Sequence, residues 1–214
     1  MRIVVLRPEP GNSATCARIA QGGGTAIAMP LFEVAPLYWD TPDPARFDSL
    51  LLTSANAVRH AGARLQSIAA LPTVVVGQAT AAAASAAGLP IVGIGDSDAD
   101  AAVAALDRLG FARALHLCGR DHLLRPGGPI AAVIAVYASI ESALCPALLP
   151  GDTVLVHSPR AARRLAALTT DRAAIAICAI SARAAEAAGT GWRRISVAPV
   201  PEDSALIATA LTAH

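Results

Sequence analysis

The sequence predicts an α/β fold built on parallel sheets, and three observations support it. Apolar runs of strand length alternate with Ala-rich, helix-favouring stretches along most of the 214 residues, which implies parallel strands joined by crossovers. Residues 49–88 hold two such strand–helix units in succession, and residues 153–189 hold two more. Two extended segments, beginning at residues 32 and 137, bracket the middle of the chain and predict a second domain there.

The two pairs of units align with each other along the sequence. Ser54 falls on Ser158 at an offset of 104 residues. A second offset, of 101 residues, pairs Gly77, Thr80 and Gly88 with Cys178, Ser181 and Gly189. One matched strand–turn–helix is common in α/β proteins, whereas two in the same order favour an internal duplication.

The elements of the first half follow from apolar runs and the breakers between them. The first strand ends at Arg7-Pro8, and the first helix is capped by Asn12 or Ser13 and stops at three glycines. Residues 32–38 alternate and are interpreted as a connector rather than a core strand. The predicted strands are residues 3–6, 25–29, 47–52, 73–76 and 91–94, and the predicted helices are residues 14–20, 55–65, 79–87 and 101–109.

The second half continues the alternation. A buried strand at 114–118 precedes a polar loop at 119–122, a short helical stretch at 130–132, a strand at 133–136 and a second extended piece at 137–141. After the repeated units come a last strand-like stretch at 195–200 and a closing helix near Ser204. Glu202 and Asp203 favour that helix start, because acidic side chains suit a helix N-terminus.

The bracketing segments predict that the first domain is discontinuous. It comprises residues 1–31 and 144–214, and the second domain comprises residues 39–136. Residues 32–38 and 137–143 join them, so we expect the two domains to hinge.

Composition narrows the classes of partner. The chain is 54% hydrophobic but only 3% aromatic and 15% charged, has a net charge of +1, and contains no lysine. No nucleic-acid or membrane-surface footprint is expected from such a balance, so an anionic ligand must be handled by a few arginines. The weakly polar stretch 68–95 is broken by glycines and prolines, and the N-terminal apolar run is too short for a signal peptide. We therefore expect a cytoplasmic protein.

Several kinds of site are disfavoured. The four cysteines form no C-x-x-C pair, so buried, reduced thiols and no metal are expected. The Gly93-Ile94-Gly95 turn has Asp98 where a dinucleotide fingerprint needs glycine. His157 and Ser158 are neighbours that point to opposite faces of a strand, so they are not expected to act as base and nucleophile. The other histidines are predicted to be solvated or structural: His60, His116, His122 and His214.

Small hydroxyl residues at the ends of strands are the candidate ligand-binding groups. Ser54, Thr80, Ser158 and Ser181 stand where open α/β sheets bind ligands, beside helix N-termini that favour anions. Such residues also cap helices everywhere, so one alone means little. Four of them would line a shared cleft if the two domains face each other. Arginines that bind carboxylates occur near the same loops: Arg7, Arg59, Arg120, Arg125, Arg160 and Arg183.

Several short motifs, in order, resemble the uroporphyrinogen-III synthase family. They are Arg7-Pro8, Pro30-Leu31, Leu-Leu-Thr-Ser-Ala-Asn-Ala-Val at 51–58, Val-Gly-Gln-Ala-Thr-Ala at 76–81, Ala-Gly-Leu at 87–89, Val136-Tyr137 and His-Ser-Pro-Arg-Ala-Ala-Arg at 157–163. The resemblance covers nearly the whole chain. One departure is the second Gly-x-x-Thr turn of the family, which reads Cys-Ala-Ile-Ser at 178–181 here.

The resemblance implies a fold, a reaction and a site. The fold is two similar parallel-sheet, flavodoxin-like, doubly wound domains joined by a two-stranded connector. The reaction closes hydroxymethylbilane into uroporphyrinogen III with inversion of ring D and loss of water, and it uses no cofactor. Its eight substrate carboxylates suit Arg7, Ser54, Thr80, Arg120, Ser158 and Ser181 as binding residues. Separately, we expect the protein to be a monomer.

Tyr137 is the candidate general acid, with simple packing of its ring as the alternative. The alternative function is a non-catalytic, two-lobed binder of a polycarboxylate metabolite.

Overall fold

The computed structural model of the protein describes residues 1–95, 99–143 and 145–212. Asp98, residue 144 and His214, which enter predictions made above, lie outside the described residues. The chain divides into two compact units. Unit 1 comprises Met1–Glu33 and Ile140–His214, and unit 2 comprises Val34–Ser139. The prediction that the segments between them act as a hinge stays a prediction.

Strands and helices alternate in both units, which confirms a mixed α/β fold with parallel strands. The strands are β1 (Arg2–Val5), β2 (Thr25–Ala28), β3 (Phe32–Pro36), β4 (Ser49–Leu52), β5 (Thr73–Val76), β6 (Ile91–Gly95), β7 (Ala114–Gly119), β8 (Ile130–Glu141), β9 (Thr153–Val156), β10 (Ala176–Ala179) and β11 (Arg194–Val197). The α-helices are α1 (Gly11–Gln21), α2 (Ala55–His60), α3 (Gln78–Ala86), α4 (Ala99–Arg108), α5 (Pro159–Leu168), α6 (Ala182–Ala188) and α7 (Asp203–Thr212). Short 3₁₀ helices span Pro44–Arg46, Gly62–Ile68 and Arg172–Ala174.

Unit 1 has a five-stranded sheet in the order β11-β10-β9-β1-β2, and its paired strands are parallel. Successive side chains of a strand point to opposite faces. Ile3 and Val5 therefore pack with α1 and α7 on one face, while Val4 and Val154 pack with α5 and α6 on the other. Helices cover both faces, which explains why the inner strands are continuous apolar runs.

Unit 2 is built around a six-stranded sheet in the order β3-β8-β7-β4-β5-β6. The pairs from β8 to β6 in this order are parallel. Leu50 and Leu52 pack with α2 and α3 on one face, and Leu51 and Val74 pack with α4 on the other. Each unit therefore has two hydrophobic layers of its own.

The two sheets place equivalent strands in equivalent positions but visit them in a different chain order. β4, β5 and β6 occupy the places that β9, β10 and β11 occupy in unit 1, and β7 and β8 occupy the places of β1 and β2. The register agrees, because Ser49 pairs with Ala114 and Thr153 pairs with Ile3. The strands that open unit 1 therefore correspond to those that close unit 2, which is a circular permutation.

The 101-residue offset is wrong as a structural equivalence. Ser181 is the N-cap of α6, and the N-cap of α3 is Gly77, 104 residues earlier. Gly77 has φ +79°, a conformation that favours glycine, so α3 begins before Thr80. Thr80 is consequently a buried residue of the first helical turn, and Cys178 lies inside β10. Ser181 therefore caps α6 at the place where Gly77 caps α3.

Other local predictions are also corrected. α1 begins at Gly11, so neither Asn12 nor Ser13 is its N-cap residue. The Glu9 carboxylate accepts the Ser13 N–H in the first turn at 3.1 Å, and the buried Asn12 donates from Nδ2 to the carbonyl oxygens of Val5 and Arg7, each at 2.9 Å. The predicted helix 55–65 ends at His60, where Gly62 adopts φ +68° and a 3₁₀ segment follows.

One segment joins the sheet against expectation. Residues 130–132 are not helical but begin β8, because pairing with β7 outweighs the helix preference of two alanines. The segment from residue 32, predicted to be a connector strand, forms β3 at the sheet edge beside β8, and its role as a connector stays a prediction.

The four cysteines are free thiols. Cys118 and Cys178 are buried, Cys16 is partly exposed, and Cys145 is exposed. Burial raises the pKa of the Cys118 and Cys178 thiols to about 11.

Candidate functional site

The sheet of unit 2 reverses its winding direction between β4 and β7. From β4 the chain goes on to β5 and β6 on one side, and from β7 it goes on to β8 on the other side. The crevice beyond the carboxyl ends of two such strands is where open α/β sheets bind ligands. Thr53 and Ser54 follow β4 there, and Gly119 ends β7 there.

A cavity of about 240 Å³ lies at this switch point, entirely within unit 2. It combines aromatic and apolar side chains with hydroxyl and imidazole groups. Its lining residues are Thr53, Ser54, Val76, His116, Cys118, Gly119, Asp121, His122, Leu123, Leu124 and Tyr137. Few convergent polar groups in an otherwise apolar concavity are typical of a small-molecule site.

The cavity exists because unit 2 lacks a helix that unit 1 has. In unit 1 the chain from β1 to β2 forms α1. In unit 2 the equivalent chain, residues 120–129 between β7 and β8, has no α-helix. Leu124 packs beside the core of that face, whereas Leu123 is 88% exposed. The irregular crossover therefore leaves open space above the sheet.

Tyr137 is held on one wall of the cavity by its packing over Gly119. A Cβ added to Gly119 would lie 2.7 Å from Cζ of Tyr137 and 3.0 Å from its hydroxyl oxygen, so only glycine admits the ring in this position. The Arg120 N–H donates to the Tyr137 carbonyl oxygen at 2.8 Å, and the His60 ring lies 6.1 Å away between centroids. Tyr137 thus packs on unit 2 and also lines the cavity, and its role as a general acid stays a prediction.

Thr53 and His116 form a hydrogen-bonded pair in the cavity wall. His116 lies in β7 with only 1% of its surface exposed, and its Nε2 is 3.1 Å from Oγ1 of Thr53. Burial, with a smaller contribution from His122, lowers the pKa of His116 to about 4, so the ring is neutral near pH 7. Within the described residues its Nδ1 is buried without a hydrogen-bond partner.

Of the site residues predicted in unit 2, Ser54 reaches the cavity together with Tyr137. Ser54 caps α2, and its Oγ accepts the Asn56 N–H at 3.2 Å. Thr80 is 4% exposed and is not among the lining residues. Arg120 is exposed at the end of β7, and its side chain is also outside the lining.

The switch point of unit 1 lies between β1 and β9 and is filled by a charged cluster. Asp203, at the start of α7, accepts hydrogen bonds from His157 Nε2 (2.8 Å), Thr15 Oγ1 (2.9 Å) and Arg18 Nη1 (2.6 Å). Arg7 Nη1 lies 3.3 Å from the same carboxylate. Arg7, predicted to bind substrate, is thus already engaged with an internal anion.

The pKa values of this cluster follow from burial and hydrogen bonding. Burial alone would raise the pKa of Asp203, but hydrogen bonds from His157, Thr15 and Arg18 outweigh it and hold the pKa below its usual value. Burial lowers the pKa of His157, with a further contribution from Arg7, although Asp203 opposes this. The neutral His157 ring carries its proton on Nε2, because the Asp203 carboxylate only accepts.

Ser158 and Ser181 are N-caps of α5 and α6. Their hydroxyl oxygens accept the N–H groups of Ala161 at 3.1 Å and Ala184 at 3.3 Å. His157 bonds Asp203 instead of Ser158, as expected for strand neighbours. The prediction that these hydroxyls share a cleft with those of unit 2 concerns the arrangement of the two units and stays a prediction.

Thr53, His157 and Asp203 did not emerge as site residues from the sequence, and His116 was only assigned a solvated or structural role. The 104-residue offset could have indicated Thr53 and His157, because it aligns these two residues with each other, directly before the aligned pair Ser54 and Ser158. Across the described ranges no group of three His, Cys, Asp or Glu side chains could hold a metal ion. No helix in those ranges is long and apolar enough to cross a membrane.

Comparison with models of protein families shows which family this chain belongs to. A family model described as uroporphyrinogen-III synthase HemD matches residues 13–208. The chain belongs to the uroporphyrinogen-III synthase family. Members of this family are cyclising lyases of porphyrin biosynthesis, so the candidate site belongs to an enzyme.

A solved structure of a uroporphyrinogen-III synthetase shares the fold. The uroporphyrinogen-III synthetase of Helicobacter pylori is 16% identical, with a TM-score of 0.68 and full coverage of both chains. A mutant uroporphyrinogen III synthase from Thermus thermophilus is also 16% identical, covers 97% of this chain and 96% of its own, and has a TM-score of 0.46. The comparison with curated proteins gives no match.

Proposed function

We propose that this chain closes hydroxymethylbilane into uroporphyrinogen III, and that the unit 2 cavity receives the reacting end of the bilane. Family membership supports the reaction. The observation that carries the proposed site is that Tyr137 lines a cavity at the β4/β7 switch point together with Thr53 and Ser54.

The size of the cavity suits part of the substrate. At about 240 Å³ it is smaller than the range of roughly 300–1,000 Å³ that is typical for drug-sized ligands. One pyrrole ring with its side chains fits that description, and a whole tetrapyrrole does not. The remaining rings and their carboxylates therefore extend beyond the cavity.

The chemical task is selectivity rather than ring formation. The bilane closes unaided to the unrearranged isomer, so the enzyme must favour attack by the substituted carbon of ring D over attack by its free position. Holding the reacting ring in one orientation accomplishes this, because only interactions stronger in the transition state accelerate the step. The aromatic and apolar walls of the cavity hold a ring, and the hydroxyl groups orient its polar substituents.

Tyr137 supplies the proton that the leaving group needs. The pyrrole nitrogen lone pair expels the hydroxymethyl oxygen, and the Tyr137 O–H donates to that oxygen so that water departs. A positioned general acid typically contributes about 10²–10⁴-fold. The ring lies where a side chain at residue 119 would otherwise stand, so Gly119 is what allows Tyr137 to occupy this wall of the cavity.

The substrate carboxylates are bound by hydroxyl, backbone N–H and guanidinium donors of both units. We propose Ser54, Thr80, Ser158, Ser181, Arg7 and Arg120 for this role, as the sequence predicts. Thr80 is the weakest member since its side chain is buried in α3, and Arg7 must share its guanidinium with Asp203. We also propose that the enzyme is a cytoplasmic monomer.

One assay tests the proposal against the rival, a non-catalytic binder of a polycarboxylate. The protein is incubated with freshly generated hydroxymethylbilane, the products are oxidised, and isomers I and III are resolved by chromatography. An enzyme gives isomer III in excess over the protein. A binder leaves isomer I as the product, and that result would overturn the proposal.

A further inference from the structure

The cavity contains one buried group that the proposed mechanism does not use. His116 contributes a neutral imidazole to the wall, yet its Nδ1 is buried without a hydrogen-bond partner in the described residues, and its Nε2 is within hydrogen-bond distance of Oγ1 of Thr53. An imidazole placed under a hydroxyl group at a ligand site determines which way that hydroxyl points its proton.

The position of the ring proton follows from the two nitrogens. A neutral imidazole carries one N–H. On Nδ1 this N–H would be buried without an acceptor, which is costly. On Nε2 it is satisfied by Oγ1 of Thr53 at 3.1 Å, and Nδ1 then keeps only a lone pair.

The second histidine at a switch point shows the same arrangement. His157 donates from Nε2 to Asp203, and its Nδ1 is also buried without a partner in the described residues. Since a carboxylate cannot donate, the proton of neutral His157 must be on Nε2. This fold therefore accommodates a bare, buried Nδ1 at a position equivalent to that of Thr53.

We propose that His116 is a positioning residue that acts through Thr53, making the Thr53 hydroxyl a committed donor to a substrate carboxylate. Thr53 Oγ1 accepts the imidazole N–H, so the hydroxyl proton is directed away from His116 and into the cavity that Thr53 lines. Chains of hydrogen bonds polarise one another, so the hydroxyl becomes a stronger donor. This proposal rests on the proposed function for the identity of the ligand.

The chemistry distinguishes this role from that of Tyr137. A hydrogen bond to a carboxylate exists before and during the reaction, so its loss raises KM and leaves kcat nearly unchanged. A bond to the departing hydroxide strengthens only in the transition state, so its loss lowers kcat. Thr53 and Tyr137 should therefore separate in steady-state kinetics.

A double-mutant cycle tests the pair. Thr53→Val removes the hydroxyl and keeps the shape, and we expect KM for hydroxymethylbilane to rise about 10-fold, the effect of one hydrogen bond to a charged group. Thr53→Ser should keep KM within about 3-fold of the parent. His116→Phe keeps a ring without nitrogen, and we expect KM to rise by about 3–5-fold. Thr190→Val, an exposed position in unit 1, is the matched control.

The cycle decides whether His116 works through Thr53. Combined with Thr53→Val, the His116→Phe change should add nothing to KM, because the hydroxyl it orients is gone. An undiminished effect of His116→Phe in that background would overturn the proposal, as would a fall in kcat at unchanged KM for Thr53→Val.

Imidazole nitrogen spectra provide a readout that needs no substrate. In ¹⁵N NMR of the intact protein near pH 7, we expect His116 to be neutral and protonated on Nε2, and the signal to be absent in His116→Phe. A ring protonated on Nδ1 contradicts the proposal whatever the enzyme does. If the parent forms no isomer III, the proposed function fails, and the spectrum still decides where the proton lies.

Discussion

At the scale of single residues, the packing of Tyr137 over Gly119 makes its chemical role testable. Tyr137→Phe removes the hydroxyl and keeps the ring over Gly119, so packing should survive. We expect isomer III formation to fall by about 10-fold or more with an unchanged thermal midpoint, because only the proton donor is lost. Tyr38→Phe is the control, since Tyr38 is 75% exposed and bonds only Asp40 by its hydroxyl. Equal turnover by Tyr137→Phe and the parent would assign the proton to water.

A substitution at Gly119 tests whether the position of the Tyr137 ring matters. Gly119→Ala places a methyl group 2.7 Å from Cζ of Tyr137, so the ring must move. We expect the rate of isomer III formation to fall at least as far as in Tyr137→Phe, with a smaller effect on stability because the ring can swing outward. Gly95→Ala is the matched control, since its new Cβ meets its nearest neighbour at an ordinary 3.6 Å. Full activity in Gly119→Ala would show that the position of the ring is not critical.

His116 also predicts a pH dependence of stability. Its pKa is about 4 in the folded protein and about 6.5 when unfolded. Between these values the unfolded chain binds more protons, so the free energy of unfolding falls as pH falls, by about 3 kcal/mol from pH 6.5 to 4. His116→Phe should flatten this slope in chemical denaturation at several pH values. His157, whose pKa is also lowered, contributes to this slope in both the parent and His116→Phe. If the two proteins have the same slope, the proton uptake on unfolding does not occur at His116.

At the scale of elements, Asp203 links the start of α7 to α1 and to the residue that follows β9. His157, Thr15 and Arg18 all donate to its carboxylate, which is 14% exposed. Asp203→Asn removes the charge, and we expect about 2 kcal/mol of destabilisation at pH 7. Because the pKa of Asp203 is lowered on folding, the parent should lose this stabilisation as the pH falls through that lowered value.

Glu202→Gln provides the comparison for Asp203→Asn, because Glu202 is the preceding residue and is exposed. It should leave the thermal midpoint nearly unchanged. Equal midpoints for the two variants at pH 7 would mean that the cluster contributes nothing to the stability of α7.

At the scale of the whole molecule, unit 2 is a continuous stretch of chain with two hydrophobic layers of its own. A fragment spanning residues 32–141 retains all six strands of its sheet. We expect it to unfold cooperatively in urea and to keep the neutral, Nε2-protonated His116. Shallow, non-cooperative unfolding of the fragment would show that unit 2 depends on the rest of the chain.

The interior strands were the most predictable part of the fold. Residues 73–76 were predicted as a strand, and β5 has the same bounds, because a strand buried on both faces is a continuous apolar run. The helix predicted at residues 130–132 was wrong, because these residues are extended through pairing with β7. The helix preference of the individual residues carries no information about that pairing. Thr80 was predicted to stand at the start of a helix, but α3 is capped by Gly77, three residues earlier. The positive φ of Gly77, which sets this helix start, cannot be inferred from the pattern of apolar residues.

The candidate site was predictable only in part. Ser54 and Tyr137 were found by motif and lie in one cavity. Thr53 and His116 are 63 residues apart, and the β4–β7 register alone brings them together. The cavity is present because no α-helix connects β7 to β8, whereas α1 connects the equivalent strands β1 and β2 of unit 1. This difference is recognised only when the strand order shows that β7 and β8 correspond to β1 and β2.

The burial of the thiols determines how this protein can be labelled. The thiolate is the form that reacts with maleimides. At neutral pH almost none of a thiol with a pKa of about 11 is in the thiolate form. Cys118 and Cys178 are therefore shielded both sterically and chemically, and burial with the nearby Glu9 also raises the pKa of the Cys16 thiol. The exposed Cys145 should react first with a fluorophore, without any cysteine being removed. The chain thus carries its own attachment point for a fluorescent reporter in unit 1, which suits fluorescence measurements on the working enzyme.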